Sequence, residues 1–338
     1  MILVLNCGSQ SIKWKLFEKK SVWELKKQGQ TNVFDIKNYK NILIKELKKI
    51  AGHKKDIKII GHRVVHGGDR FRDPTLITKK NLKELKKFDK FAPLHNPFNI
   101  LGIEISQKIF PNSKQIAVFD TGFYKNLPEQ SSVYPLPKNI RDKFGFKKFG
   151  FQGISHKFAA EQASKQIKKS FKKLKIITCH LGGGSSITAI KNGKVIDTSM
   201  GFTPMEGVMM MTRAGDIDAG IVLELVSKFS VKKVNEILNH ESGIKGLCNE
   251  DKMLKVLKRK DKKAKLALDV FVYKIKKYIG SYYAILNGCD LLVFTGTIGY
   301  GSSKIRNMIC KDLGILKNTK VLTIKANEEL EIAMEINK

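Results

Sequence analysis

Residues 175–213 read KIITCHLGGGSSITAIKNGKVIDTSMGFTPMEGVMMMTR, in which short apolar runs alternate with a glycine-rich bend and an Asn-Gly pair. An apolar run at 176–179 predicts a buried strand, which leads through HLGGGSS into a second apolar strand at 187–190. The Asn-Gly pair at 192–193 predicts a two-residue hairpin turn, because both central positions of such a turn need positive φ. The three glycines at 182–184 remove the side chains that would hold an anion away from the backbone N–H groups. This bend therefore fits a phosphate, although a flexible hairpin loop is the plainer interpretation of a glycine triplet alone.

The N-terminus repeats this design. Residues 1–5 predict an apolar strand, residues 6–11 (NCGSQS) a polar bend, and residues 12–17 a second strand that carries Lys13. Two such units in one chain predict a duplicated α/β fold in which two phosphate loops face each other. A pair of this kind would hold a nucleotide on one lobe and its acceptor on the other.

Length and composition limit the class of protein. The 338 residues suffice for two domains with separate cores, and 42% hydrophobic residues is ordinary for a globular chain. The apolar runs fall short of the roughly 20 residues of a membrane span. Because the first residues also lack the pattern of a signal peptide, we expect a cytoplasmic protein with no membrane partner. The five cysteines lack CxxC spacing, and we expect them to be reduced.

The formal net charge of +32 is the unusual feature of the composition. A charge of this size is compatible with nucleic-acid binding. The lysines, however, are spread over nearly every amphipathic segment and do not interleave with aromatic residues as they do on RNA-binding surfaces. We interpret them as solvated helix faces that attract anionic substrates, and we expect no nucleic-acid partner.

Polar residues follow two of the predicted strands in the first half of the chain. Arg63 lies just beyond a strand at 57–60 and precedes a histidine and two glycines, where a hydrogen-bonded structural cluster is an equally good explanation. Asp120 directly follows a strand at 115–119, where a helix cap is the plainer interpretation. The carboxyl ends of strands are also where ligands bind in open α/β sheets. Nearby, two prolines fix the backbone on either side of His95.

The second half of the chain contains further candidate ligand groups. Arg213 is a permanently charged candidate anion ligand in a loop that bears glycine and aspartate. A strand at 291–294 enters a small-residue loop at 295–302, which opens onto a helix through Asp312 and is suited to an adenosine. The last predicted strand, 321–324, runs to residues 327–329 (NEE), where one of the two carboxylates is a candidate Mg²⁺ ligand before the final helix. Apolar spacing also predicts a strand at 21–24, a loop-rich crossing at 127–149 and a long helix at 264–287.

Together these motifs resemble the acetate and propionate kinase family, within the superfamily of actin, sugar kinases and Hsp70. The segments that carry the resemblance occur in family order: NCGSQSIK (6–13), GHRVVHGG (61–68), APLHNP (92–97), FDT (119–121), CHLGGGSS (179–186), DTSMGFTPMEGVMMMTRAGDID (197–218) and NEEL (327–330). The resemblance implies a duplicated ribonuclease H-like fold of the actin/Hsp70 ATPase type, with two lobes around a central cleft. The implied lobes are residues 1–126, on the carboxylate side and joined by a C-terminal helix at 328–338, and residues 127–327, on the nucleotide side.

The resemblance also implies an activity: Mg²⁺-dependent, reversible phosphoryl transfer from ATP to acetate, giving ADP and acetyl phosphate, in a homodimer. Arg63 and Arg213 would hold carboxylate and phosphoryl oxygens, and Asp120 would orient the acceptor or its metal. The other implied residues are Asn6 and Glu328 for Mg²⁺; His95 and Gln152 at the phosphoryl site; Val65, Leu94, Phe151 and Pro204 for the acyl pocket; and Lys13, His180, Leu181, Gly182, Gly183, Gly184, Asp251, Thr297, Ile298, Gly299, Tyr300 and Gly301 for the nucleotide. Because acetate is already ionised at neutral pH, such a transfer needs placed cations and donors more than a strong base.

The chain departs from the family pattern at several positions. Gln152 stands where the family has a histidine that helps to stabilise the transition state, and glutamine can donate only a neutral hydrogen bond. The other changes crowd the nucleotide side. They are Gly183 for the usual Asn, Met211 for Gly, Thr297 and Tyr300 for Gly and Glu, and a shortened segment after Gly246, in which Asp251 is the best surviving match to an Asp-x-Arg that normally contacts nucleotide.

Three hypotheses therefore remain open at this point. The first is an acetate kinase. The second is a relative that uses propionate or butyrate as the acid, or pyrophosphate as the phosphoryl donor. The third is a nucleotide-binding module with little turnover, which the change at Gln152 favours.

Overall fold

The computed structural model describes residues 1–93 and 95–338. The strands are β1 (Ile2–Cys7), β2 (Ser11–Lys19), β3 (Trp23–Asn32), β4 (Ile59–Val64), β5 (Thr75–Leu76), β6 (Lys114–Phe119), β7 (Lys175–Leu181), β8 (Ser185–Lys191), β9 (Lys194–Thr198), β10 (Leu291–Thr295) and β11 (Lys320–Thr323). The helices are α1 (Tyr39–Lys48), α2 (Lys79–Lys86), α3 (Asn96–Ile109), α4 (Glu129–Ser132), α5 (Lys138–Phe144), α6 (Gly153–Gln166), α7 (Ala219–Lys228), α8 (Val231–Glu236), α9 (Gly243–Cys248), α10 (Met253–Val256), α11 (Lys262–Leu286), α12 (Gly296–Gly301), α13 (Ser303–Cys310) and α14 (Glu328–Ile336). A π-helical turn, Ile237–Glu241, joins α8 to α9.

The chain divides into two compact units, each built on one mixed sheet. Unit 1 comprises Met1–Lys125 and Asn327–Lys338, and unit 2 comprises Asn126–Ala326. In unit 1 the strand order is β3-β2-β1-β4-β6-β5, and in unit 2 it is β11-β10-β7-β8-β9.

The two sheets share one topology. In unit 1, β1 and β2 form an antiparallel pair that β3 extends, and β4 and β6 lie parallel on the other side of β1. In unit 2, β7, β8 and β9 repeat the antiparallel meander, and β10 and β11 repeat the two parallel strands. This repetition confirms the predicted duplicated α/β fold.

Each unit has its own hydrophobic core. In unit 1, helices α1 and α3 pack together, and Leu43 and Leu47 of α1 are fully buried beside Trp14 of β2. The indole Nε1 of Trp14 donates a hydrogen bond of 3.0 Å to the buried Glu46 carboxylate, so this polar pair is satisfied inside the core. In unit 2, the long helix α11 covers the sheet with a buried stripe of Phe271, Ile275, Ile279, Tyr282 and Leu286.

Several local predictions are confirmed and others are wrong. Asn192 and Gly193 have φ values of 54° and 77°, as the predicted hairpin turn requires. The strand predicted at 21–24 is instead the ten-residue β3, whose polar, largely exposed sequence carries no apolar alternation. The loop predicted at 295–302 is mostly helical, since Gly296–Gly301 forms α12, and the following helix ends at Cys310. The segment at 127–149 contains the short helices α4 and α5.

Candidate functional site

In unit 1 the predicted site residues lie at one edge of the sheet. Asn6 is near the end of β1, Arg63 is near the end of β4, and Asp120 immediately follows β6. These three strands are neighbours and run parallel, so their carboxyl ends meet at the same edge. The topology alone therefore brings together three polar side chains that are far apart in the sequence.

Arg63 and Asp120 form a closely held ion pair. The Arg63 guanidinium donates from Nε to both carboxylate oxygens at 3.2 Å and from Nη2 to Oδ2 at 2.6 Å. Burial raises the pKa of Asp120, and the guanidinium opposes that shift. Arg63 Nη1 points instead to the Asn6 amide oxygen, at 3.3 Å. Asp120 thus fixes the orientation of the Arg63 fork at the sheet edge.

Two adjacent glutamates at the start of α14 have different surroundings. Glu329 is buried, accepts a hydrogen bond of 3.1 Å from Asn6 Nδ2, and pairs with Lys15 Nζ at 3.0 Å. Burial raises its pKa, but Lys15 and Asn6 outweigh that effect and leave the pKa lowered. Glu328 is only half-buried, and its charge acts on both Arg63 and Asp120. The family resemblance assigns Glu328 to the metal, whereas its neighbour Glu329 in NEEL is the glutamate that bonds to Asn6.

Two asparagines of α3, which no sequence motif singles out as functional, hold the segment after Arg63. Asn96 accepts from the His66 N–H at 3.0 Å and donates to the His66 carbonyl at 2.8 Å. Asn99 accepts from the Val65 N–H at 3.1 Å and donates to the Cys7 carbonyl at 2.7 Å. Each amide uses both its donor and its acceptor, so Val65 is fixed beside Arg63.

The remaining predicted residues of unit 1 are Lys13, His95 and Leu94. Lys13 is half-buried on β2 and lies directly opposite Asn6 in the antiparallel pair, on the same face of the sheet. His95 is at the N-terminal end of α3. Leu94, predicted for the acyl pocket, lies outside the described residues.

In unit 2 the glycine loop connects β7 to β8, as the sequence predicts. His180, near the end of β7, is bonded through Nδ1 to Ser155 Oγ at 2.8 Å. The Gly183 carbonyl accepts from the Met211 N–H at 3.3 Å, which ties the loop to the segment that carries Arg213. A Cβ atom added at Gly184 would lie 3.4 Å from Gln152 Nε2 and 3.8 Å from Arg213 Nη1. The fold therefore brings the glycine loop, Gln152 and Arg213 together.

Arg213 differs from the other charged side chains of its segment. Four carboxylates lie in residues 197–218, and each has a structural partner: Asp197 pairs with Lys148, Glu206 with Tyr134 and Lys148, Asp216 with the Gly207 N–H and Tyr278, and Asp218 with the Gly220 N–H. Among the residues that the structure describes, no carboxylate pairs with Arg213, and burial alone lowers the pKa of its guanidinium. A half-buried cation without a counter-ion beside a glycine loop is suited to bind an anion.

The residues predicted to contact adenosine are only partly brought to the loop. Thr297 is exposed, and its Oγ1 would lie 3.3 Å from a Cβ atom at Gly182. Ile298 is buried, and Gly299 lies so close to β7 that an added Cβ would be 3.3 Å from the Cys179 carbonyl oxygen, so these two positions serve packing. Tyr300 is exposed, and its carbonyl oxygen accepts from Arg306.

Three predicted residues of unit 2 lie elsewhere in its structure. Asp251 is exposed in the turn after α9, and its N–H bonds to the neighbouring Glu250 carboxylate at 3.0 Å. Phe151 is buried immediately before Gln152, and Pro204 is half-buried. Leu181 is buried in β7, so it acts as a core residue at the base of the loop.

Comparison with known proteins identifies relatives over almost the whole chain. The model of the acetokinase family matches residues 23–334. Curated relatives named acetate kinase include one from Carboxydothermus hydrogenoformans, 39% identical over 99% of this chain and 98% of its own length, and one from Clostridium novyi, 39% identical over 99% and 97%. The first alignment extends over 388 positions, more than the 338 residues here, so this relative has internal segments that the chain lacks.

Solved structures of acetate and propionate kinases are also similar to this chain over nearly its whole length. A Porphyromonas gingivalis acetate kinase is 31% identical with a TM-score of 0.88, covering 100% of this chain and 99% of that one. A propionate kinase from Francisella tularensis is 36% identical with a TM-score of 0.89, covering 99% and 98%. An Entamoeba histolytica acetate kinase is 30% identical with a TM-score of 0.89, covering 99% and 98%.

Proposed function

Because this chain belongs to the acetate kinase family, we propose that it catalyses the reversible, Mg²⁺-dependent transfer of the γ-phosphoryl group of ATP to acetate, giving acetyl phosphate and ADP. The observation that carries this proposal is the Arg213 guanidinium, which has no carboxylate partner among the described residues and lies beside Gly184 and Gln152. Phosphoryl transfer requires a cation and N–H donors that stabilise the negative charge of the phosphoryl group, and Arg213 and the glycine loop are groups of this kind.

We assign the phosphoryl group to the residues of unit 2. Arg213 would bind its equatorial oxygens with two parallel N–H groups, and Gln152 would add a neutral donor. The N–H groups of Gly182, Gly183 and Gly184 would face the nucleotide phosphates, with His180, Leu181 and Thr297 as neighbours. We assign Ile298, Gly299, Tyr300, Gly301 and Asp251 to the nucleotide only through the family resemblance.

We assign the acid to the residues of unit 1. A carboxylate oxygen of acetate attacks the γ-phosphorus, and the bond from that phosphorus to the ADP oxygen breaks, so no proton is transferred. Arg63 would bind the acetate carboxylate, and Asp120 would hold Arg63 in place and orient the acceptor. Lys13 and His95 would add positive charge or donors near the phosphates. The family resemblance alone assigns Val65, Leu94, Phe151 and Pro204 to the acyl group.

The oxygen donors at the edge of the unit 1 sheet fit a magnesium ion. Asn6, Asp120 and the half-buried Glu328 offer amide and carboxylate oxygens, and Mg²⁺ typically takes one or two carboxylates together with phosphates and water. We propose Asn6 and Glu328 as the residues that would hold it, while Glu329 orients Asn6. When bound, the ion would neutralise charge on the β- and γ-phosphates.

The test is acyl phosphate formation by the purified protein with Mg²⁺ and ATP. Acetate, propionate and butyrate are compared as acids, because one similar structure is that of a propionate kinase. Pyrophosphate replaces ATP in a parallel series. Turnover with ATP and a higher kcat/KM for acetate would support the proposal. A preference for another acid or for pyrophosphate would transfer it to that substrate, and nucleotide binding without turnover would refute it.

The first prediction concerns Arg213. Arg213→Ala should lower kcat by about 10³-fold, because the variant loses the cation that meets transition-state charge. Arg259→Ala is the matched control, since this guanidinium of the same unit is neutralised by Asp261 at 2.7 Å. Steady-state kinetics and far-ultraviolet circular dichroism are measured for both. A folded Arg213→Ala enzyme with a wild-type rate would remove Arg213 from the site.

We further propose that the protein is a homodimer in the cytoplasm. The side chains of α7 are all at least partly exposed, and Ile221 and Leu223 are apolar and 50% and 72% exposed. A face of this kind, with few charges in a chain of net charge +32, is suited to contact with a second copy of the chain. Sedimentation equilibrium measures whether the protein is a dimer.

The cytoplasmic part of the proposal is supported by the cysteines. All five carry free thiols, as expected in a reducing compartment. No helix in the described part of the chain is long and apolar enough to span a membrane.

A further inference from the structure

A continuous chain of buried side-chain hydrogen bonds ends at Gln152. Thr178 Oγ1 on β7 lies 2.7 Å from His156 Nδ1 on α6. His156 Nε2 lies 2.7 Å from Ser186 Oγ on β8, and Ser186 Oγ lies 2.5 Å from Gln152 Oε1. Thr178, His156 and Ser186 are all fully buried. We call these four side chains the relay.

We propose that the tautomer of His156 sets which end of the Gln152 amide faces the glycine loop, so that Thr178, His156 and Ser186 are positioning residues for phosphoryl transfer. The proposal rests on the proposed function for its kinetic consequence, but the hydrogen positions that it requires are a property of the folded chain alone. Gln152 is the residue that would touch the substrate.

The direction of every hydrogen bond in the relay follows from the Gln152 oxygen at one end and from the number of protons on the His156 ring. Gln152 Oε1 can only accept, so Ser186 must donate to it. The Ser186 oxygen must then accept from His156, which places the ring proton on Nε2. Burial, together with the neighbouring His180, lowers the pKa of His156 well below its ordinary value of 6.5, so the ring carries one proton only. Nδ1 is therefore bare and accepts from the Thr178 hydroxyl.

The reversed order satisfies the same atoms less well. With the ring proton on Nδ1, His156 would donate to Thr178, and the Thr178 hydroxyl would have to turn to the Thr188 carbonyl oxygen, which is 3.4 Å away. A hydrogen bond of that length is weak. Ser186 would then donate to His156, and the Gln152 side chain would have to rotate so that its NH₂ group bonds to Ser186. Thr178 thus favours the first order, because its hydroxyl then donates to His156 Nδ1 over 2.7 Å and not to the Thr188 carbonyl oxygen over 3.4 Å.

The two orders have opposite consequences at the glycine loop. In the first, Gln152 Nε2 lies beside Gly184, 3.4 Å from the position of a Cβ atom there, and offers its N–H groups to an anion. In the second, the amide oxygen would face the same place and repel one. Gln152 also has a φ of 58°, an uncommon left-handed conformation for glutamine, so its backbone is held at some cost in the position from which the amide reaches the loop.

The direct test is the proton position on His156 in the wild-type protein. The chain has seven histidines, so selective ¹⁵N labelling of histidine gives a small set of ring signals, and the His156 signal is assigned by its loss in His156→Gln. We expect a proton on Nε2 and a bare Nδ1. A proton on Nδ1 would overturn the proposal, whether or not the protein has kinase activity.

The kinetic test uses the far end of the relay, which does not touch the glycine loop. Thr178→Val removes the hydroxyl that donates to Nδ1, and we expect a loss in kcat of about tenfold, with a smaller change in KM for ATP. Thr178→Ser keeps the hydroxyl and should retain the wild-type kcat. Thr198→Val is the matched control, because its buried hydroxyl bonds to Thr188 and to the Ile187 carbonyl and not to the relay.

The two tests separate this proposal from the proposed function. A protein without kinase activity that still carries its proton on Nε2 would refute the proposed function and leave the relay in place. An active enzyme in which Thr178→Val and Thr198→Val both retain the wild-type kcat would refute the positioning role alone.

Discussion

The side chain at position 152 decides which kind of hydrogen-bond donor faces the glycine loop, while the strands and helices around it stay the same. Gln152 keeps a hydrogen bond to Ser186 on one side and faces Gly184 on the other. A glutamine offers the phosphoryl group a neutral donor whose strength does not change with pH. A histidine in the same place would offer a donor that becomes cationic at lower pH.

The prediction at this scale is that Gln152→His leaves kcat unchanged or raises it. In the first proton order Ser186 donates to residue 152, so a histidine there accepts with one ring nitrogen and presents a donor with the other. Steady-state rates from pH 6 to pH 8, roughly one unit on either side of neutrality, should also acquire a pH dependence that the wild type lacks. Gln152→Ala is the control and should lose activity. A large loss in the histidine variant would show that the chain has adapted around glutamine.

At the scale of elements, the loop that carries Arg213 is held by a π-helical turn. The Ala214 N–H donates to the Leu238 carbonyl at 3.1 Å, and Thr212 Oγ1 donates to the Asn239 carbonyl at 2.8 Å. Both carbonyls belong to the turn Ile237–Glu241, whose wider winding interrupts the regular α-helical hydrogen bonds. The unusual element thus supplies the acceptors that fix the loop.

We predict that Thr212→Val lowers kcat by about tenfold while the protein stays folded, because the loss of the partly buried hydrogen bond to the Asn239 carbonyl loosens the support of Arg213. The measurement is kcat together with the urea midpoint of unfolding. Thr212→Ser keeps the hydroxyl and should behave as the wild type. A Thr212→Val enzyme with an unchanged kcat and an unchanged midpoint would show that the backbone bonds alone hold the loop.

Across the whole molecule, the sequence predicts elements well where one local signal dominates. The hairpin turn at Asn192 and Gly193 and the long helix α11 have such signals, in positive φ and in apolar spacing. Strand β3 does not, because an exposed edge strand has no buried face to impose alternation. Helix α12 has no helical signal in the sequence, because its glycines, which allow close packing against β7, are also typical of loops.

The residues of the candidate site likewise fall into those that the sequence predicts and those that only the fold reveals. Family motifs select Asn6, Arg63, Asp120 and Arg213, and sheet topology explains why the first three meet. The partners that orient them are not visible in the sequence. Glu329 holds Asn6 across 323 positions of the chain, a pairing that only the fold creates. Each supporting asparagine of α3 likewise bonds to backbone groups distant in sequence.

Buried histidines give the whole molecule a predictable sensitivity to acid. Burial lowers the pKa of His62 from 6.5 to about 4 and that of His66 to about 3. Between the folded value and 6.5 the unfolded chain binds a proton that the folded chain does not, so the free energy of unfolding falls as the pH falls through this window. The net charge of +32 acts in the same direction, because each added proton increases repulsion within the compact state.

We therefore predict that lowering the pH from about 7 to about 5 reduces the free energy of unfolding by on the order of 2 kcal/mol for each of these two histidines. His62 Nε2 lies 2.7 Å from Gln115 Oε1, and His62→Gln retains a donor for that oxygen while removing the titration. Urea unfolding at both pH values should show a smaller acid-induced loss in this variant. His53→Gln, at an exposed histidine, is the matched control and should lose as much stability as the wild type. An equal loss in His62→Gln and the wild type would mean that His62 is not the group that takes up the proton on unfolding.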